Sequence, residues 1–263
     1  MTNSYAPLQE DRLRRLLPGR DLLRLEEVNS TLTQMKRFAA AGARDGAVLV
    51  AECQTAGRGR LGRAWSAPKG AGLTFSYLVR RSLPAAHAAR LAPAFALGVC
   101  EGLRDLGIGQ AGVKWPNDVV VDGRKICGML CEMELDPAGG LAFVQAGIGI
   151  NVHPFPLPEE LREKACFAAS YIRADREELL AAVVGRLDGF VSLACEDFPA
   201  LLDRYRQRCL TLGRQVRASG GQCAEGLAVD VNGEGELLVK TVEGELVALR
   251  TADVSVRGLL GYV

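Results

Sequence analysis

Val119-Val120-Val121-Asp122-Gly123-Arg124-Lys125-Ile126-Cys127-Gly128 sets an Asp-Gly pair between two apolar runs. Asp-Gly is a strong signal for a two-residue hairpin, because both turn positions need positive φ. The sequence therefore predicts an antiparallel pair whose second strand runs from Lys125 through Glu134. Just upstream, Val113-Lys114-Trp115-Pro116-Asn117-Asp118 carries a proline that cannot donate into a central ladder. The strand must break or lie at an edge there. Asn117 and Asp118 then sit at a strand end, where they either turn toward a cleft or satisfy local amides in an Asx turn.

Further strands are predicted at 47–53, 72–80 and 141–151, the last ending in Gly147-Ile148-Gly149-Ile150-Asn151 and stopped by His153-Pro154. Ser30 or Thr31 caps a helix running to about Ala41, with Gln34 completing a capping box from Thr31. A helix is expected over 85–106, after Pro84 and before Gly107. Asp175, with Glu178 three residues on, opens another, and a further one runs from Pro199 to Cys209. Residues 1–27 read as a short basic leader with a helical turn or two around Leu13, Leu16 and Leu17. Beyond Gly213 short apolar runs alternate with Asn232-Gly233 and Glu243-Gly244, the pattern of a small β-barrel. The expected fold is α/β (α+β): a mixed-sheet domain over 1–211 followed by a small barrel over 212–263.

The chain has 263 residues, a net charge of +1 and 24% charged residues. That balance provides no bulk attraction to nucleic acid or to an anionic membrane. Eight cysteines show no C-x-x-C spacing and only two histidines accompany them, so buried reduced thiols fit better than zinc or a redox dithiol. Without a signal peptide or an apolar span, a cytoplasmic protein is expected.

Basic character is concentrated locally. Gly57-Arg58-Gly59-Arg60-Leu61-Gly62-Arg63 interleaves three glycines with three arginines and follows the apolar run Val48-Leu49-Val50-Ala51. Glycine allows close backbone approach, and arginine supplies a fork of donors suited to carboxylate and phosphate. The loop reads as an anion clamp; the alternative is a solvated turn. Its letters also fit the G-x-G-x-x-G dinucleotide fingerprint. That fingerprint needs a helix at the loop, and Ala64-Trp65-Ser66-Ala67-Pro68-Lys69-Gly70 is a poor one.

Lys114 and Lys125 flank the hairpin. A lysine in an apolar strand must reach solvent or meet an anion. Strict alternation puts Lys125, Cys127, Met129 and Cys131 on one face, with Ile126, Gly128 and Leu130 on the other. Gly128 removes a side chain and leaves room for a ligand or a crossing backbone. There is no G-x-S-x-G elbow, no Walker A loop and no H-E-x-x-H. What remains is a set of cations and donors suited to positioning and charge stabilisation in phosphoryl or nucleotidyl transfer.

Val28-Asn29-Ser30-Thr31, Gln54 through Arg63, Lys114-Trp115-Pro116-Asn117-Asp118, Lys125-Ile126-Cys127-Gly128 and Gly147 through Asn151, in this order, resemble the biotin protein ligases. The resemblance implies a catalytic domain of the class II aminoacyl-tRNA synthetase/biotin ligase type with a small C-terminal SH3-like barrel. It implies a two-step reaction, in which biotin and ATP form biotinyl-AMP and a lysine of a biotin carboxyl carrier protein then takes the biotinyl group. Ser30, Thr31, Gln54, Gly57, Arg58, Arg60, Lys125 and Gly128 fall at biotin-contacting positions, and Arg60, Arg63, Trp65, Lys114, Asn117, Asp118, Asn151 and Arg257 at ATP positions. Lys125, Arg58, Arg60 and Lys114 would carry catalysis. Asp118 would orient lysines or help place Mg2+, with no dedicated protein metal site.

Two departures stand out. Leu32 occupies a position where many members have asparagine, and Phe167-Ala168-Ala169-Ser170 matches the family's usual segment weakly. Members that also repress transcription carry a winged-helix domain before the Ser-Thr motif. Only 29 residues precede Ser30 here, which implies no DNA binding. A homodimer is compatible with the family. Lipoate attachment and a non-catalytic biotin or nucleotide sensor are the competing readings; retention of both Lys114 and Lys125 speaks against the sensor.

Overall fold

In the computed structural model, residues 5–220, 223–250 and 254–258 are described. In chain order the elements are α1 (Glu10–Leu16), β1 (Leu22–Val28), α2 (Thr31–Ala40), β2 (Val48–Gln54), β3 (Gly72–Val79), α3 (Leu91–Asp105), β4 (Gly112–Lys114), β5 (Asp118–Val121), β6 (Arg124–Leu135), β7 (Leu141–Asn151), α4 (Glu159–Arg162), α5 (Arg176–Glu196) and α6 (Phe198–Arg208), then β8 (Gln215–Gly220), β9 (Ala224–Val231), β10 (Leu237–Thr241), β11 (Leu246–Leu249) and β12 (Val254–Gly258). A seven-stranded mixed sheet runs β1-β2-β3-β7-β6-β5-β4, and a separate five-stranded antiparallel sheet runs β11-β10-β9-β8-β12. Only the β1–β2 pair of the large sheet is parallel.

β3 is buried at every position, because both faces of the large sheet are covered. On one face Val48, Val50, Leu73, Phe75, Cys127, Met129, Ile148 and Ile150 join the main core with α3 and α5. A Cβ on Gly98 would come within 2.5 Å of Leu187, and one on Gly102 within 2.7 Å of Val183. Those glycines let α3 and α5 pack at close range. On the other face α2 lays Met35 and Ala39 over Leu49, Leu78 and Phe143. The rest of that face carries the loop between β2 and β3.

The Asp122-Gly123 hairpin forms as expected, with φ of 50° and 72° at its two positions. Asp175 caps α5 by accepting from the amides of Glu177 and Glu178, worth about 1 kcal/mol. The 85–106 helix is divided: Ala85–Arg90 is a 3-10 turn and only Leu91–Asp105 is α-helical. Residues 22–27, expected as leader, belong with Val28 to β1 at the sheet edge. The capping box at Thr31 does not form, since Ser30 makes no side-chain cap bond.

One departure bears directly on the site. Register along β5–β6 pairs Val119 with Cys127 but Val120 with Lys125, so Ile126 is an extra residue. A bulge of this kind breaks the alternation. Lys125 therefore lies over Gly128, on the face opposite to the one strict alternation assigns.

Among the described residues no helix is long and apolar enough to cross a membrane.

Candidate active site

The site face of the large sheet is carved by glycines. The ladder aligns Asp118, Gly128, Gly149 and Thr74 in one row and Leu130, Gly147 and Ser76 in the next. Period-two geometry puts all of these on one face. A Cβ at Gly149 would meet the Trp65 indole at 2.2 Å, one at Gly128 would meet Lys125 Nζ at 2.7 Å, and one at Gly147 would meet Leu32 at 2.7 Å. The room foreseen at Gly128 is thus real, and Lys125 and Trp65 fill it. A shallow pocket beside this floor is lined by Glu52, Cys53, Gln54, Trp65, Ala67, Pro68, Gly72 and Thr74.

Lys125 Nζ stands 2.6 Å from Asp118 Oδ1 and 5.6 Å from the Trp65 ring centroid. Its backbone is clamped by a segment that the sequence did not single out: Lys125 N donates to Lys164 O at 2.7 Å, and Cys166 N donates to Lys125 O at 2.9 Å. Asn151 Nδ2 approaches the same carbonyl at 3.4 Å. Segment 164–166, just before the weakly matching Phe167–Ser170 stretch, therefore fixes the lysine's position from the backbone side. Lys114 is buried at 2% exposure two residues before the cis peptide Trp115-Pro116 ends.

The arginine-glycine loop folds as a small closed ring. Arg58 bridges to Ala64, Gly59 N donates to Arg63 O, and Trp65 N donates to Gly57 O. Gly57 is required there, since a Cβ would lie 2.3 Å from Trp65 O. No helix follows the loop, and the dinucleotide fingerprint is excluded. Arg58 pairs with Glu132 at 2.8 Å, whose other oxygen accepts from Gln145 Nε2 at 3.1 Å. Arg60 Nη1 donates to Asn117 Oδ1 at 3.0 Å, while Asn117 Nδ2 donates to Met129 O at 2.6 Å. Burial lowers the Arg60 pKa, with Asp118 opposing that shift. Arg63 is exposed. Burial pushes the Cys131 thiol up to about 12 and that of Cys127 higher still, which keeps both protonated at neutral pH.

Ser30 and Thr31 are each 3% exposed. Thr31 donates through both N and Oγ1 to Gln54 Oε1, at 2.8 and 3.1 Å. Capture of Thr31 by a residue 23 positions away is why the local capping box is absent. The structure thus brings Ser30, Thr31, Gln54, Gly57, Arg58, Arg60, Trp65, Asn117, Asp118, Lys125, Gly128 and Asn151 onto one face and its strand ends. Arg257 lies on β12 opposite Arg217; its side chain is outside the described residues. Glu132, Gln145 and segment 164–166 were missed because only the folded sheet reveals what they hold.

Residues 25–151 match the Biotin/lipoate A/B protein ligase family and residues 211–257 the Biotin protein ligase C terminal domain. The chain is 34% identical to the Biotin--[acetyl-CoA-carboxylase] ligase of Mycobacterium tuberculosis, over 94% of this chain and 95% of that one. It is 30% identical to the bifunctional ligase/repressor BirA of Bacillus subtilis, over 86% of this chain and 71% of that protein. The biotin protein ligase of Aquifex aeolicus, solved in complex with biotin and ATP, superposes with a TM-score of 0.77 at 31% identity, covering 90% of this chain and 99% of the other. The glycine floor, the paired Lys125 and Asp118 and the arginine loop above them, set beside those likenesses, make this chain a member of the biotin protein ligase family.

Proposed function

We propose that this ligase activates biotin as biotinyl-5'-AMP and transfers it to one lysine of a biotin carboxyl carrier protein, with residues 1–211 as the catalytic domain and 212–263 as an SH3-like unit. The observation that carries the reading is the placement of Lys125 Nζ over the glycine floor, 2.6 Å from Asp118, with Arg60 reaching Asn117 above it. In the first step a carboxylate oxygen of biotin attacks the α-phosphorus of ATP. A P–O bond forms, the bond to the bridging oxygen breaks, and pyrophosphate leaves. Negative charge grows on the α-phosphate oxygens, where fixed cations help most. Lys125 and Arg60, beside Asp118 and Asn117, are the cations assigned to this charge, with buried Lys114 paired to Asp118 in the same ladder row. In the second step the carrier lysine's amine attacks the acyl carbon. A C–N bond forms, the C–O bond breaks, AMP leaves and the amine's proton passes to solvent.

Ser30, Thr31 and Gln54 are assigned to biotin's ureido ring, Arg58 and Lys125 to its carboxyl side, and Arg63, Trp65, Asn117, Asp118 and Asn151 to the nucleotide. Mg2+ accompanies ATP as the counter-ion of its phosphates. The cytoplasm, where ATP and carboxylases meet, is the compartment, and a homodimer remains compatible with this chemistry. Purified protein with biotin, MgATP and a carrier domain should yield covalently biotinylated carrier; folded enzyme that leaves a cognate carrier unmodified sinks the proposal.

A further inference from the structure

Trp115 lies between Lys114 and the Asn117-Asp118 pair, yet nothing above gives it a task. It is buried, at 2% exposure, and both of its polar hydrogens are held by the chain's C-terminal part. Its backbone N donates to Thr211 Oγ1 at 3.0 Å, and Thr211 is itself 2% exposed. Its indole Nε1 donates to Gly235 O at 3.1 Å. Gly235 belongs to the turn between β9 and β10, on the small sheet.

That turn is preformed. Asn232 Oδ1 accepts from the amides of Glu234 and Glu236, at 2.9 and 3.0 Å, and Asn232 Nδ2 donates to Glu236 Oε2 at 2.8 Å. Gly235 takes a φ of +81°, a conformation that glycine adopts without cost. Arg90 pairs with Glu234 at 2.9 Å, and Arg206 donates to Asp230 and to Val231 O. A rigid turn therefore presents one carbonyl to one indole. Segment 114–118 is gripped on two flanks. Asn117 ties it to β6, exchanging bonds with Met129 through Nδ2 and O. Trp115 ties it to the C-terminal unit.

We propose that Trp115 is a positioning residue through which the Asn232–Glu236 turn of the C-terminal unit sets the placement of Lys114 and Asn117, and so the handling of ATP rather than of biotin. The inference rests on the functional reading above. The contacts assigned to biotin's ureido ring, Ser30, Thr31 and Gln54, sit at the start of α2 and on β2 on the far side of the floor, with no bond to the small sheet among those described, and Lys125, on biotin's carboxyl side, has its backbone held by segment 164–166 rather than by 114–118. A displaced segment 114–118 should leave them in place.

The test uses the full chain and steady-state biotin-dependent pyrophosphate release. Wild-type release comes first: without it the functional reading fails, and this inference is not what failed. Trp115→Phe keeps an aromatic side chain, smaller than the indole, and deletes the indole N–H, leaving the Gly235 carbonyl without its donor. The ATP KM is expected to rise about tenfold, the scale of one buried hydrogen bond, with the biotin KM within twofold of wild type. Asn232→Ala, which loosens the turn from the small sheet, should raise the ATP KM in the same direction. The double variant should then show less than the product of the two effects, because both act through one contact. An unchanged ATP KM in Trp115→Phe, an equal rise in both KM values, or multiplicative effects in the double variant would each overturn the inference. Should Trp115→Phe fail to fold, Asn232→Ala decides alone: no rise in its ATP KM defeats the coupling.

Discussion

The floor and the loop that meet at Trp65 are built on opposite plans. The floor is backbone: Gly128 and Gly149 sit in ladder register between Asp118 and Thr74, and Gly147 lies in the next row between Leu130 and Ser76. The loop closes on itself through backbone bonds, but what ties it to the sheet is side chain: Arg58 and Arg60 reach Glu132 and Asn117, both contacts open to exchange with an incoming anion. Leu61 at the loop's tip is 52% exposed and takes a φ of 56°, a region that costs a leucine roughly 1–2 kcal/mol. A ladder sets where a substrate lies, and a strained, charge-held loop sets how long it stays. Substitutions in the two regions should therefore alter different kinetic constants.

Lys125→Ala tests the floor's reactive group and carries the largest expected effect. Biotin-dependent pyrophosphate release should fall about 10²–10³-fold, the scale of one removed oxyanion donor. The fold should survive, since Lys125 is at the sheet's solvent-facing end, its side chain 27% exposed. A rate within tenfold of wild type removes Lys125 from the chemistry.

Gly149→Ala attacks the floor's shape instead. The new methyl would stand 2.2 Å from the Trp65 indole, and overpacking of this kind costs about 1–3 kcal/mol. The biotin KM should rise roughly 10–100-fold, and the ATP KM should rise with it, because Trp65 is assigned to the nucleotide. An unaltered biotin KM would mean that Trp65 moves aside freely and that the floor is less rigid than its ladder implies.

Arg60→Gly sharpens the comparison from the loop's side. It removes the donor to Asn117 while Lys125 and the glycine rows are untouched. Dissociation of the acyl-adenylate should accelerate about tenfold or more, in line with a charge-assisted bond lost. Adenylate formation should change less. Rapid-quench and filter-retention measurements separate the two constants, and an unchanged off-rate would assign retention to the floor.

The division between backbone and side chain also explains what was legible beforehand. Asp122-Gly123, the 141–151 strand and the Asp175 cap were readable because their signals are local. β1 was not: Leu22–Val28 carries Arg24, Glu26 and Glu27, the charge that keeps an edge strand from pairing with strangers, and this masks the alternation. The face of Lys125 depends on a bulge set by β5, a partner strand, and the sequence of β6 alone does not encode it. Thr31 satisfies its amide through Gln54, across 23 residues, so local capping chemistry gave the wrong partner there. The site's residue types were visible; the contacts that hold them are long-range.

The smallest effect concerns what steadies the floor's outer end. β7 runs from Asn151 into His153-Pro154, where His153 stacks on Tyr5 with ring centroids 4.3 Å apart and planes 10° from parallel, and Tyr5 OH donates to Pro154 O at 2.9 Å. The same N-terminal strap is tied down by Leu8 N to Glu52 Oε1 and Gln9 N to Glu177 Oε1. Burial, with Arg176 nearby, lowers the His153 pKa. Above pH ~6.5, the value of an unfolded histidine, both states are neutral and the stack contributes fully. As pH falls below that value the unfolded chain binds a proton that the folded one resists, so stability is lost until the folded pKa is passed. His153→Phe keeps a ring for Tyr5 and removes the titration. Between pH 7.5 and pH 5 the wild type should lose about 1 °C more in melting temperature than this variant. Equal losses would show that His153 keeps its ordinary proton affinity and that the strap is held by its bonds to Glu52 and Glu177 rather than by the state of this ring.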